Sequence, residues 1–236
     1  MQYVRSINQF MVAVAVSFLF SCSYSQKKEA GKIDQPSVEV IKAPEIVVTD
    51  SSFLALFPEI SGDTIHIFSP VEKEGGSKFI GKRIVPEFYK YFLFDAHMKQ
   101  SLDTINNIFS CYRIRLSDTR SGLIVRIPGQ YSETAVNLFL WDHQSKKIIG
   151  NFELSDETGD GEWYFVKDAW LVDINKDNRL DILARRKDWW REDVDVGYGK
   201  EHVTDSVNVY IGLNDGFRKT IAKIDTTRFQ LFNWKH

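Results

Sequence analysis

From Tyr112 onward the chain alternates short runs of branched and aromatic residues with polar, turn-forming clusters. The runs Tyr112 to Leu116, Leu123 to Ile127, Val136 to Trp141, Ile148 to Leu154, Trp163 to Val172, Leu180 to Ala184 and Val207 to Ile211 have the length and residue types of strands. Clusters such as Asp142 to Lys146 and Asp156 to Gly161 separate them as hairpin turns. Upstream, Asp50 to Pro58 reads as a capped short helix stopped by proline, and Pro86 to Leu93 as a second helix with proline in its first turn. Thr64 to Phe68 suits a strand between them. The expected fold is mainly β: an antiparallel β-rich domain, partial-propeller-like or built of stacked sheets, with one or two short N-terminal helices. Val136 to Leu140 and Val207 to Ile211 share a pattern 71 residues apart. The same shift from Asp173 lands on Leu102, where there is no acidic loop.

The first residues follow a different pattern. Residues 1–22 carry one charge, Arg5, then the apolar run from Phe10 to Phe20, then Ser21-Cys22. That run is short for a bilayer span and fits an export signal. Leu19-Phe20-Ser21-Cys22 resembles a bacterial lipoprotein box, although Phe20 stands where a small residue is usual. The resemblance implies lipidation of Cys22, an anchor in the bacterial cell envelope and, with Ser23 rather than aspartate after the cysteine, outer-membrane placement. It leaves the periplasmic or surface-facing side open. The alternative is cleavage near Ser23 to Ser25 and a soluble secreted or periplasmic protein. Residues 23–37 are polar and aperiodic, a flexible tether. A single domain over 38–236 then follows.

Charge and cysteine content narrow the function. Removing Arg5 with the leader takes the formal net charge from −2 to −3, and no basic run provides a footprint for nucleic acid. With Cys22 lipidated, Cys111 is the sole thiol, so no internal disulfide forms.

The densest chemistry lies at residues 173–181. Asp173, Asn175, Asp177 and Asp181 put oxygen-bearing side chains at the first, third, fifth and ninth places of a nine-residue loop, with the Arg179 carbonyl at the seventh. Calcium takes about 6–8 oxygen ligands, and alternate residues of a tight loop point inward. Crowded carboxylates repel one another unless a cation or water relieves them. The competing reading is an Asp/Asn-rich turn held by its own side-chain hydrogen bonds with no ion. An EF-hand fits poorly, because Ala184 occupies the twelfth place and the flanks are strand-like.

Trp170-Leu171-Val172 before that loop, Leu180 to Leu183 after it, and Val207 to Phe217 beyond together resemble an FG-GAP/VCBS-type repeat over about 163–218. This is the calcium-loop blade of integrin-α-like propellers. The resemblance implies a structural Ca2+ held by Asp173, Asn175, Asp177, Asp181 and the Arg179 carbonyl. Asn178 replaces the usual glycine at the sixth place, and asparagine visits positive φ readily. A full propeller of such blades would need about twice this chain, so the repeat sits in something smaller.

Weaker constellations remain. Asp156, Thr158 and Asp160 imitate half a calcium loop but read better as a hairpin. Lys187 to Asp195 pairs Trp189 and Trp190 with charges in a long loop ending near Asp205, either a platform for a glycan or protein ligand or rings covering the core edge. The histidines have no zinc spacing, and no nucleophile elbow or phosphate loop occurs. The leading expectation is therefore a non-catalytic, calcium-binding envelope lipoprotein. The alternatives are a recognition module using Trp189 and Trp190, or an enzyme whose acids converge only in three dimensions.

Overall fold

A computed structural model describes residues 48–69, 78–92, 107–127, 135–159, 162–192, 199–214, 216–221 and 224–232. The chain divides between Pro44 and Glu45, and everything described belongs to the part from Glu45 onward. The signal segment, Cys22 and the tether lie outside the described residues.

Ten antiparallel strands dominate: β1 (Thr64–Ile67), β2 (Lys82–Arg83), β3 (Phe109–Arg115), β4 (Arg120–Arg126), β5 (Val136–Asp142), β6 (Lys147–Gly159), β7 (Trp163–Val172), β8 (Asp181–Arg191), β9 (Glu201–Leu213) and β10 (Gly216–Thr220). They hydrogen-bond in sequence order from β2 to β10, and the sheet does not close into a barrel. The fold is therefore mainly β, as the alternation predicts. Strand β6 is the joint. Its residues from Lys147 to Ser155 pair with β5, whereas Asp156 to Gly159 pair with β7. Where β6 leaves β7, β1 takes over the same strand, with Thr64 opposite Val172 and Ile67 opposite Ala169.

Period-two burial on both faces produces three hydrophobic layers. Ile124, Leu138 and Leu140 share one cluster with Ala169, Leu171 and Ile182, so the two halves of the sheet meet in a common core. On the opposite face of the first half, Leu123, Val125, Phe139 and Trp141 pack under α1 (Asp50–Leu54) and a 3-10 helix (Pro86–Phe92). Helix α1 is short but well started: Thr49 and Ser52 exchange side-chain and backbone hydrogen bonds as a capping box. Its Phe53 is fully buried and stacks on Tyr91 at 4.3 Å. On the far face of the second half, Val166, Trp170, Val172 and Leu183 are covered by Phe229 and Leu231 of the C-terminal segment.

Two predicted boundaries shift. Asp156 to Gly159 continue β6 instead of turning, and Asp156 is buried. Lys187 to Arg191 extend β8 and Glu201 to Asp205 begin β9, in place of one long loop. Asp160 lies outside the described residues.

Cys111 sits at a bulge in β3, buried, with its Sγ donating to the Phe79 carbonyl at 3.3 Å. Burial pushes this thiol up to about 12, so almost no thiolate is present at neutral pH. A disulfide exchange reagent should leave native Cys111 untouched at pH 8 and titrate it fully in denaturant. Rapid native labelling would contradict the burial.

Candidate metal centre

Strands β7 and β8 are one long hairpin, in register from Trp163 opposite Trp190 to Val172 opposite Asp181. Their connection is the acidic loop, so the flanks are strands, as the sequence predicts. Inside it the side chains turn back on the backbone. The Asp177 N–H donates to both Asp173 Oδ1 and Asn175 Oδ1 at 3.1 Å, so these two oxygens converge on one point. Asp173 Oδ2 accepts from Asn178 N–H at 2.8 Å, and Asp177 Oδ1 from Arg179 N–H at 3.0 Å. Lys176 and Asn178 take positive φ of 63° and 64°, the left-handed turns that let so short a loop curl.

Asp181 plays a different part. Its side chain is fully buried, with Oδ2 accepting from Ile174 N–H at 2.9 Å and Oδ1 from Gly212 N–H at 2.7 Å. One carboxylate thus ties the start of the loop to the end of β9. The close approach requires glycine at 212, where an added Cβ would stand 2.4 Å from the Leu180 carbonyl oxygen.

The structure thus links Asp173, Asn175 and Asp177 through hydrogen bonds within the loop and commits Asp181 to backbone amides. Among the described residues, no three His, Cys, Asp or Glu side chains form a group able to hold a metal ion. The loop's donor set nevertheless includes an amide and a backbone carbonyl. Each oxygen accepting one N–H also retains a second lone pair. The Asn175 amide also donates to Asp177 Oδ2 at 3.1 Å, so the loop closes on its own side-chain hydrogen bonds.

The two tryptophans do not share a surface. As consecutive residues of β8 they project to opposite faces. Trp189 is buried, with the Arg191 guanidinium 5.2 Å from its ring. Trp190 is half-buried and stacks on His202. A joint Trp189–Trp190 platform is therefore replaced by two separate environments.

Sequence reasoning missed the buried polar groups beneath the C-terminal segment. Fully buried Asp168 accepts from Phe232 N–H and bonds His66 Nε2, both at 2.8 Å, while its Oδ1 has no hydrogen-bond partner among the described residues. His66 lies flat on Trp170 at 4.4 Å. Buried Arg185 pairs with Asp205 at 2.6 Å and donates to the carbonyls of Thr226 and Phe229 at 3.2 and 2.7 Å. Its position opposite Asp168 in the β7–β8 register was the available signal. A cleft of about 300 Å³ beside Leu180 is lined by Glu59, Ser61, Ile65, Arg113 and Arg115. Among the lining residues described, its one carboxylate, Glu59, is paired with Arg113 at 2.5 Å.

Comparison with family models, curated proteins and solved structures returns no match to this chain.

Proposed function

We propose that this protein is a non-catalytic, calcium-stabilised β domain carried on a bacterial envelope lipoprotein. The observation that supports the metal is that Asp173, Asn175 and Asp177 are gathered by hydrogen bonds to one another's side chains and to the Asp177 N–H, within a loop flanked by paired strands. Calcium bound there would supply a positive charge offset by the Asp173 and Asp177 carboxylates, with Asn175 and the Arg179 carbonyl as neutral oxygen ligands. Asp181 would act mainly by holding the loop against β9. The likeness of 163–218 to an FG-GAP/VCBS repeat supports the same donor set, and the lipobox-like residues ending in Cys22 support the anchor.

A ligand that binds only the folded state raises stability with its concentration. Calcium at about a hundredfold above its Kd adds roughly 2.7 kcal/mol, a rise in Tm of about 5–10 °C for a domain of this size. Asp177→Ala should abolish that rise. In chelator the same variant should melt within a few degrees of wild type, since the Asp177 side chain is exposed. Identical melting of wild type in calcium and in chelator would rule out a structural ion. For the anchor, Cys22→Ser should release the protein from membranes in cell fractionation, whereas continued sedimentation with membranes would count against lipidation.

A further inference from the structure

At the end of the β7–β8–β9 sheet farthest from the metal loop, three ring-bearing side chains stand in a row. Trp163 lies opposite Trp190, and Trp190 opposite His202. Directly paired residues on adjacent strands project from the same face, so all three rings share it. Trp163 is 38% exposed and Trp190 half-exposed. The His202 ring lies on Trp190 at 5.2 Å with only 13° between their planes. The next rows inward are Phe165, Asp188 and Thr204, then Lys167, Arg186 and Ser206.

The cations described around these rings are paired, Arg186 with Asp188 at 2.6 Å and Lys167 with Glu153 at 2.7 Å, while the His202 ring hydrogen-bonds Glu192 at 2.5 Å. Among the described residues, such a face presents rings rimmed by hydrogen-bonding groups and leaves no unpaired cation to attract an anionic ligand. We propose that this row binds a neutral oligosaccharide. Pyranose rings would stack their C–H faces on Trp163 and Trp190, with hydroxyls reaching Glu192, Asp188 and Thr204. Neighbouring strands stand about 4.8 Å apart, so successive ring positions fall on the length scale of a single sugar unit. A protein partner needs roughly 800 Å² of surface with a desolvated centre. Of the large hydrophobic side chains exposed in this part of the sheet, Trp163 faces the row and Val203 faces the opposite side.

The site is independent of the calcium reading, because the ten residues of β7 put about 30 Å between Trp163 and the acidic loop. The test titrates the full chain with cellohexaose, chitohexaose, xylohexaose and maltohexaose, followed by calorimetry and tryptophan fluorescence. At least one should bind saturably and change the fluorescence. Trp163→Ala and Trp190→Ala should each weaken that binding by about tenfold or more, and Val203→Ala should leave it unchanged. Trp163 is partly exposed at the sheet's end and packs on Phe165, so its variant should stay folded at the assay temperature and remain informative even if Trp190→Ala unfolds. Absence of binding by all four sugars, or binding that survives Trp163→Ala, would overturn the proposal. Capture of a protein ligand with no sugar bound would overturn it equally.

Discussion

Asp181→Ala should be the most damaging single change at the loop, lowering stability by about 3 kcal/mol and Tm by about 6–12 °C. The cause is local. Removing the carboxylate leaves the Gly212 and Ile174 N–H groups without their acceptor, and the side chain that joined them is fully buried. An unsatisfied buried donor costs about 1–3 kcal/mol, more than the net worth of the bond it once made. Asp181→Asn keeps one acceptor oxygen, so it should retain about half of the lost stability. Chemical denaturation of the three proteins checks the order. A loss below about 1 kcal/mol for the alanine variant would mean that water replaces the carboxylate, and that Asp181 does not hold the loop to β9.

Arg185→Met should loosen the C-terminal segment. Methionine keeps the apolar stem, but the carbonyls of Thr226 and Phe229 lose their donor and Asp205 its principal partner. Breaking a buried pair from one side costs about 3–5 kcal/mol. The Asp205 side chain is partly exposed, which brings the expectation down to about 2–3 kcal/mol. Hydrogen exchange should accelerate over 224–232, while amides of β4 and β5 stay protected. The variant should also change the acid limb of stability. Its hydrogen bond to Arg185 holds Asp205 below the usual carboxylate range. The unfolded chain therefore takes up this proton first. The pair's stabilisation is complete above the ordinary carboxylate value of 3.8 and is lost as pH falls from there through the lower folded value. Arg185→Met should flatten that part of the curve. An unchanged acid limb, or unchanged exchange over 224–232, would remove Arg185 as the fastener.

Much of the sheet was legible because burial on one or both faces forces the apolar residues into strand-length runs, as in Leu123 to Val125 and Trp170 to Val172. The far ends of β8 and β9 were not. There charges satisfy one another across the strands: Lys187 opposite Asp205, and Arg191 opposite Glu201 at 2.8 Å. Hydrophobic periodicity does not register such pairs, although opposite charges placed symmetrically about a turn would have. The β1–β7 pairing joins residues about a hundred positions apart, a distance over which no local pattern speaks. Buried Asp168 and Arg185 were hidden for a related reason, since charged residues default to the surface unless a partner supplied by the fold permits burial.

The repeated pattern of β5 and β9 acquires a plain meaning. Each is the third strand of a four-strand meander, β3 to β6 and β7 to β10. The counterpart of the acidic loop is the β3–β4 turn at Leu116 to Thr119, not the position a uniform shift would give. That turn is short and carries one carboxylate, Asp118, paired with Arg115. At the loop itself the oxygen spacing was legible, but the separate task of Asp181 was not, because Gly212 reaches it from 31 residues away.

Isothermal titration of the chelator-treated full chain with calcium tests the central claim most directly. One ion per chain should bind with measurable heat in wild type, and none in Asp177→Ala. A flat titration of correctly folded wild type, or equal binding by the variant, would contradict a calcium site in the β7–β8 loop.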